Sequence, residues 1–265
     1  MDTVFKQEEL IFGDYNTNSK SFVKDGLCFG HLISEYSEEY YKRDVESLYN
    51  RNHPRVVFVC KEPNKNGGED YRFWDWVKRE SNPLFGDSIA RWLIGILGAN
   101  SKNNPQKPKT SGSREVFAKH PLVLMNIKKT AGGSNSKWDT IRGSARENAA
   151  LLQKQISLYA PNLVFCCGSS DNDENENRMI NIVKEFLYPD DVFEQLKEDW
   201  HYCYYSKKKQ LLLIDSYHPS YVKKDTWKFD NLFKEYRSFL KHEGESWFAH
   251  SGITSREKEV RNGSF

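Results

Sequence analysis

Two polar segments that follow apolar runs carry groups suited to chemistry. The apolar residues 56–59 end at Lys61-Glu62-Pro63, and the apolar residues 211–214 lead through Asp215 to His218-Pro219-Ser220. Pro63 lacks an N–H and disfavours helix at Glu62, so the first strand stops there and Glu62 lies in the loop at its carboxyl end. Ligands bind at that edge of an open α/β sheet. If the two strands are parallel neighbours, a carboxylate and an imidazole face one crevice.

Two further junctions of the same kind lie between these segments in the sequence. Residues 122–125 are followed by Asn126, and residues 163–167 are followed by Gly168-Ser169. Strands that are buried on both faces have continuous rather than alternating apolar character, and all four runs fit that pattern. We therefore expect all four polar segments on one rim of one sheet. A cluster of four aromatic residues follows a glycine loop and should lie beside this rim: Tyr71, Phe73, Trp74 and Trp76. Four aromatic residues so close to such a loop favour a binding role for some of them.

Strand and helix signals alternate along the chain, which predicts an α/β fold. We expect a three-layer α/β/α sandwich with a central, mostly parallel four-stranded sheet and an edge strand near residues 200–205. Helices are predicted over residues 34–50, 83–99, 144–159, 175–188 and 229–241. One domain spans residues 31–243. Residues 1–30 are polar, without a clear period, and predict an arm packed on the domain, while residues 244–265 form a C-terminal tail.

Composition narrows the class of protein. The 265 residues carry 39 basic and 37 acidic side chains, so only a local patch can attract a polyanion. The five cysteines contain no C-x-x-C pair, which is typical of buried reduced thiols in an intracellular protein. The spacing of His201 and Cys203 matches no zinc pattern, so no metal is expected. No signal peptide and no membrane-length apolar run is present, which predicts a cytoplasmic protein without membrane contact. We also expect a monomer.

The four junctions together resemble the uracil-DNA glycosylase superfamily. That family has a strand followed by a motif such as G-Q-D-P-Y, a strand closing in L-L-N, a strand followed by G-S, and a strand closing in H-P-S-P-L-S. The matching segments here are Cys60 to Asn64, Leu124 to Asn126, Gly168-Ser169 and His218 to Lys223. Residues 129–141 also resemble the stretch that follows the L-L-N strand. The similarity covers about residues 55–240, and four motifs in the right order are fairly specific.

The resemblance implies roles for three residues. Glu62 stands where the family has the residue that positions the attacking water, and a carboxylate there can stabilise an oxocarbenium-like sugar. Asn126 stands at the base-reading asparagine, whose amide offers a donor and an acceptor to a pyrimidine edge. His218 stands at the histidine that hydrogen-bonds the base as negative charge gathers on it.

The resemblance also implies DNA contacts. Phe73 or Trp74 should stack on the flipped base, and Tyr71 is a further candidate for a contact with that base. Val222 stands where the family fills the gap left by that base. Phosphates should contact a rim of hydroxyls and lysines around these loops: Ser169, Ser220, Tyr221, Lys128, Lys129, Lys137, Lys223 and Lys224.

Departures from the family pattern bear on specificity. Asn64 replaces the tyrosine that closes the pocket of strict uracil enzymes against a substituent at C5 of the base, so this pocket has room for one. The Asn64 amide can also bond to a hydroxyl on such a substituent. Cys60 and Lys61 replace the usual Gly-Gln, which leaves open whether Lys61 takes part in the chemistry. Tyr221 replaces a proline, which predicts a less rigid turn.

The function predicted from the resemblance is that of a monofunctional DNA glycosylase. It would hydrolyse the N-glycosidic bond of a flipped-out uracil or C5-modified pyrimidine, without cofactor, metal or covalent intermediate. One alternative is a glycosylase for the bulky hydroxymethylated or glucosylated bases of phage DNA, acting in antiviral defence rather than in repair. Another is an inactive member of the fold that only binds nucleic acid.

Overall fold

The structure, a computed structural model, describes residues 3–15, 22–28, 38–51, 54–63, 70–73, 83–98, 120–132, 136–169, 178–198, 201–221, 225–244 and 247. Within these ranges the chain is a mixed α/β protein built on one mostly parallel sheet of seven strands. The strands are β1 (Gly26–Cys28), β2 (Val56–Cys60), β3 (Leu122–Asn126), β4 (Leu163–Ser169), β5 (Glu194–Glu198), β6 (His201–Ser206) and β7 (Leu211–Tyr217).

The centre of the sheet consists of the four strands that the apolar runs predict. The strand order is β1-β3-β2-β4-β7-β6-β5, and the neighbours β3, β2, β4 and β7 are all parallel. The carboxyl ends of these four strands therefore meet at one edge of the sheet. This confirms the prediction that the four polar segments share one rim.

The predicted number of four strands is wrong, because three antiparallel strands extend the sheet at its sides. On one side β1 pairs with β3, and on the other β6 pairs with β7 and then with β5. Strand β1 has only three residues, and the sequence EQLKE of β5 has no run of apolar side chains. Strands β1 and β5 exist through pairing with a neighbour, so a search for apolar runs misses them. Strand β6 corresponds to the edge strand predicted near residues 200–205, but β5 pairs with it, so β6 is not at the edge.

Seven helices appear in the described ranges: α1 (Val4–Asp14), α2 (Glu38–Arg51), α3 (Pro83–Gly98), α4 (Trp138–Glu147), α5 (Ala149–Tyr159), α6 (Met179–Ile182, continued by a π-helical turn, Val183–Leu187) and α7 (Asp225–Glu243). A short 3₁₀ turn covers Tyr71–Phe73. The single helix predicted over residues 144–159 is in fact two, because the backbone of Asn148 leaves the helical region. None of these described helices combines the length and apolar content that crossing a bilayer requires.

Helices cover both faces of the sheet, which explains the continuous apolar runs. On one face Phe58 packs with Trp92 of α3 and Phe239 of α7. On the other face Val57 belongs to a second cluster with Tyr49 of α2 and with α5 and α6. Successive residues of β2 thus point into two different hydrophobic clusters, and both clusters exclude water.

The N-terminal segment is a helix rather than the aperiodic arm that the sequence predicts. Helix α1 begins after Thr3, whose side chain accepts a hydrogen bond from Lys6 N at 3.3 Å. The helix buries residues that recur three and four positions apart: Val4, Phe5, Glu8, Ile11 and Phe12. That spacing is helical, and the charged Glu8 in the middle of the buried face hides it from a purely apolar count.

Glu8 is fully buried and joins α1 to three other elements. Its Oε1 accepts hydrogen bonds from Leu27 N at 2.9 Å and from Tyr159 Oη at 2.7 Å, and its Oε2 accepts one from Arg72 Nη1 at 2.9 Å. Arg72 is itself 1% exposed and also bonds to Asp70. Burial raises the pKa of Glu8 to about 7, although Arg72 opposes that shift.

This raised pKa predicts a pH-dependent stability. Between the ordinary value of 4.5 and the folded value of about 7, the folded protein binds a proton at Glu8 that the unfolded chain has lost. The contribution of Glu8 to stability is therefore full below pH 4.5 and is lost as the pH rises through about 7. We expect wild type to lose about 1.4 kcal/mol per pH unit in this window relative to Glu8→Gln, measured as the free energy of unfolding in urea.

The neighbouring Glu9 supplies the control. Burial raises the pKa of Glu9, but hydrogen bonds from Lys24 and Arg72 outweigh burial and leave that pKa below its ordinary value. Glu9→Gln should therefore leave the slope between pH 5 and 8 unchanged. A Glu8→Gln protein that keeps the wild-type slope would show that Glu8 does not titrate in this range.

Candidate active site

The site lies at the carboxyl edge of the four parallel strands. Asn126 pairs in register with Cys60, Val59 with Cys166, and Cys167 with Ser216. Neighbouring strands are about 4.8 Å apart, so Asn126 at the end of β3 and the loop after β7 lie about 14 Å from each other. The loops that begin at Lys61 and Gly168 lie between them.

The carboxylate of Glu62 is enclosed by the segment that follows β3. Lys128 Nζ lies 2.5 Å from Oε2, the hydroxyl of Ser136 donates to Oε1, and the Glu62 side chain is only 6% exposed. A Cβ atom on Gly132 would lie 2.0 Å from Glu62 Cδ, so any larger residue at this position would displace the carboxylate. The carboxylate is therefore fixed by two donors and by close backbone contact.

Backbone hydrogen bonds hold this enclosure together. Ile127 N donates to Cys60 O at 2.9 Å, and Lys128 N donates to Lys61 O at 3.0 Å. Gly132 N then donates to Pro63 O at 3.0 Å. The segment after β3 therefore follows the segment after β2 beyond the end of the regular sheet, which places residues 127–132 beside Glu62.

Lys61, which follows β2, contacts the end of the neighbouring strand β4 and the start of α4. Its ammonium is 3.6 Å from the ring centroid of Trp138, a cation–π contact. A Cβ on Gly168, whose φ is +140°, would be 2.9 Å from Lys61 Cε. Gly168 also marks the register shift between β4 and β7, so the irregular strand end makes room for the lysine stem.

The turn after β7 fixes the tautomer of His218. Ser220 N donates to His218 Nδ1 at 3.2 Å, and Tyr221 N donates to His218 O at 2.8 Å. Because Nδ1 accepts this bond, the proton of the neutral ring lies on Nε2, which is then a donor. The Tyr221 ring stacks on Tyr217 at 5.3 Å, so stacking restrains the turn at the position where the related motif has proline.

Asn126 is held by a buried carboxylate that precedes β1. Asp25 Oδ2 accepts hydrogen bonds from Asn126 N at 2.7 Å and from Asn126 Nδ2 at 3.1 Å. Asp25 Oδ1 accepts from Lys129 Nζ at 2.7 Å and from Gln155 Nε2 at 3.0 Å. Asp25 is 0% exposed, so Asn126 rests on a fully buried polar network.

The adjacent lysines of this segment therefore differ. Lys129 is 4% exposed and pairs with Asp25, which contradicts its predicted place among phosphate contacts, since a buried ammonium cannot reach the DNA backbone. Burial lowers the pKa of Lys129, and Asp25 opposes that shift. Lys128 is 20% exposed and faces Glu62, at the rim.

The structure describes only some of the residues predicted to stack on a base or to bind phosphate. Tyr71 is 7% exposed and packs in the same core cluster as Phe58, so its ring lacks the open face that stacking on a base requires. Phe73 and Ser169 are described by their backbone alone. Five predicted residues lie outside the described ranges: Asn64, Trp74, Val222, Lys223 and Lys224.

The cysteines are not candidates for nucleophilic chemistry. All five are buried free thiols, which confirms that part of the prediction. Cys60 directly precedes Lys61, but its hydrogen bond with Cys167, together with burial, raises the pKa of the Cys60 thiol well above its ordinary value. The thiol is therefore protonated and unreactive. Among the described residues, no group of three His, Cys, Asp or Glu side chains is arranged to hold a metal ion.

The sequence does not assign Asp25, Gly132 and Ser136 to the site, because their roles depend on contacts across the fold. Gly132 and Ser136 lie in the stretch 129–141 that resembles the family, but the resemblance gives them no role, and Asp25 lies outside the resembled segments. A comparison of the sequence with protein-family models finds no match, and a comparison with curated proteins finds none either.

The two adjacent lysines give a matched pair of variants. Lys129→Gln leaves the Asp25 carboxylate buried without its cation, so we expect the free energy of unfolding to fall by about 3–5 kcal/mol. Lys128→Gln should lower it by about half of that or less, because water can approach the rim where Lys128 lies. Urea unfolding of both variants measures the difference. Equal losses would contradict the assignment of Lys129 to the core.

Proposed function

We propose that this protein is a DNA glycosylase that hydrolyses the N-glycosidic bond of a flipped-out pyrimidine. The observation that carries the proposal is the common edge of the parallel strands β3, β2, β4 and β7, because the residues that close these strands, Glu62, Asn126, Gly168 and His218, come along the chain in the order of the resembled motifs. A three-layer α/β/α sandwich, which the superfamily shares, is compatible with helices on both faces of this sheet.

Glu62 is the residue proposed to act on the sugar. As the bond between C1′ and the base breaks, the electron pair of that bond leaves with the base, and positive charge develops on the sugar. A fixed carboxylate stabilises that charge and orients a water molecule toward C1′. The water oxygen then bonds to C1′, and its proton passes to the carboxylate or to solvent. The two donors on Glu62 support this role because they hold the carboxylate in one orientation before substrate arrives.

His218 and Asn126 are proposed to serve the base. With Nδ1 accepting from Ser220 N, the Nε2–H of His218 can donate to a base oxygen on which the departing electron pair accumulates. The amide of Asn126 can pair with the edge of a pyrimidine through an acceptor and a donor. Lys61 and Lys128 bring positive charge to the rim, where phosphates would approach. Ser220, Tyr221 and the undescribed Lys223 and Lys224 are the further phosphate contacts proposed from the resemblance, and the undescribed Val222 would fill the gap left by the flipped base.

The base class follows from Asn64 in the sequence. We propose uracil or a C5-modified pyrimidine, with the hydroxymethylated or glucosylated bases of phage DNA as the narrower alternative, because asparagine leaves the space that tyrosine would fill. A second candidate function is binding of nucleic acid without excision. It is favoured by the close pairing of Lys128 with Glu62, which neutralises the carboxylate in the absence of substrate.

Glu62→Gln tests the chemistry. The amide keeps the size of the side chain but not its charge, and the charge is needed mainly in the transition state. We expect single-turnover excision to fall by at least about 10²-fold while the Kd for the same oligonucleotide changes little. Abasic sites are scored after alkaline cleavage of labelled single- and double-stranded oligonucleotides that carry uracil, thymine mispairs, and 5-hydroxymethylated or glucosylated pyrimidines.

The same panel separates the candidates. Excision of any of these bases by wild type, lost in Glu62→Gln, supports the glycosylase. Excision that is equal in the two proteins removes Glu62 from the mechanism. If wild type binds the oligonucleotides but excises no base, the binding function is correct.

Gly132→Ala tests the enclosure of the carboxylate without changing any charge. The added Cβ would lie 2.0 Å from Glu62 Cδ, so the carboxylate must shift, and a displacement of about 1 Å costs roughly 10²-fold in rate. The control is Gly143→Ala on α4, where nothing lies within 4 Å of the new Cβ. The control should excise at the wild-type rate and gain about 0.5–1 kcal/mol of stability. Wild-type excision by Gly132→Ala would show that the carboxylate position is not critical.

A further inference from the structure

The amide of Asn126 has a defined orientation because of Asp25. One carboxylate oxygen, Asp25 Oδ2, accepts from both the backbone N–H and the side-chain Nδ2 of Asn126. A carboxylate only accepts hydrogen bonds, so a reversed amide would place Oδ1 against Oδ2, two acceptors facing each other in the protein interior. The buried carboxylate therefore selects one of the two amide orientations.

The position of Asp25 also decides which amide atoms remain for a ligand. Since Oδ2 lies on the backbone side of Asn126, it takes the N–H that points back toward Cβ. The carbonyl Oδ1 and the N–H beside it form the opposite edge of the amide. That edge presents one acceptor and one donor in a fixed order.

Asp25 is itself immobilised. It is 0% exposed, with Lys129 Nζ at 2.7 Å and Gln155 Nε2 at 3.0 Å from Oδ1. Gln155 Nε2 also lies 3.0 Å from Tyr159 Oη, which bonds in turn to Glu8. Asp25 thus belongs to a buried network that reaches the N-terminal helix, but the two hydrogen bonds that orient Asn126 both end on Asp25 Oδ2 itself.

A fixed order of donor and acceptor distinguishes two classes of pyrimidine. Uracil and its derivatives present an N3–H donor and an O4 acceptor, whereas cytosine and its derivatives present an N3 acceptor and an N4–H donor. An amide held in one orientation matches one of these edges in a given base position and faces the other with like groups. An amide that can rotate matches either.

We propose that Asp25 is a positioning residue that fixes the amide of Asn126 and thereby makes the site discriminate between 4-oxo and 4-amino pyrimidines. The proposal rests on the proposed function, since it gives Asn126 the base as its partner. It assigns specificity to a residue that lies outside the resembled motifs, in the segment before β1.

Asp25→Asn is the decisive variant, because an asparagine at position 25 can offer either an acceptor or a donor to Asn126. Two readouts are measured. The first, on the protein without DNA, is hydrogen exchange of the Asn126 side-chain amide by ¹⁵N NMR, with Asn126→Ala to assign the signal. The second is the ratio of single-turnover excision rates for uracil and cytosine derivatives that carry the same C5 substituent.

Two further variants keep the test interpretable. Asp25→Asn leaves Lys129 without its partner, so the double variant Asp25→Asn with Lys129→Met, which also removes that cation, is compared with wild type if the single variant is poorly folded. Gln155→Leu removes a donor to Asp25 but none of the bonds to Asn126. Gln155→Leu should leave both readouts within about twofold of wild type.

We expect Asp25→Asn to lose protection of the Asn126 amide and to bring the excision ratio at least about fivefold closer to one, since a matched pair of hydrogen bonds is worth at least that factor. Unchanged protection overturns the fixed amide, and lost protection with an unchanged ratio overturns its role in specificity. If wild type excises no base, the proposed function fails and the specificity assignment with it, while the exchange measurement still decides whether Asp25 holds Asn126.

Discussion

The rest of this structure depends on the ion pair and the hydrogen bonds of the buried Asp25 carboxylate. A charge with no exposed surface is costly unless cations and donors surround it, and Asp25 has Lys129, Gln155 and two donors of Asn126. These partners come from β3, the segment after it and α5, so the carboxylate can be satisfied only when these parts have assembled. The ion pair between Asp25 and Lys129 therefore contributes both to the packing of the core and to the position of Asn126 in the candidate site.

The segment after β3 connects that core to the surface. Lys129 points inward to Asp25 and the preceding Lys128 points to Glu62. A few residues further on, Gly132 and Ser136 complete the enclosure of the Glu62 carboxylate. A shift of this segment by one residue would place either Thr130 at Asp25 or Ile127 at Glu62, so one of the two carboxylates would lose its lysine. The burial of Lys129 thus fixes the position of the groups around Glu62.

The arrangement around Glu62 bears directly on the proposed reaction. Lys128 and Ser136 occupy one bonding position on each oxygen, and each carboxylate oxygen can accept a second hydrogen bond, so water can still be oriented there. The nearby ammonium of Lys128 lowers the electrostatic attraction between Glu62 and a sugar cation. If Lys128 moved to a DNA phosphate on binding, the carboxylate would gain its full charge when the substrate is in place. The same pairing, if it persisted on DNA, would favour the binding function.

The sequence by itself determined the four central strands, their burial on both faces and the common edge of Glu62, Asn126 and His218, because continuous apolar runs and a following proline or polar residue are local signals. It did not reveal β1, β5 or α1, since a three-residue strand, a polar edge strand and a helix with Glu8 on its buried face carry no continuous apolar pattern. Only the tertiary structure decided that Lys128 is at the rim and Lys129 is in the core. Two adjacent lysines are equivalent in sequence, and they become different only when Asp25, about a hundred residues earlier, is brought beside one of them.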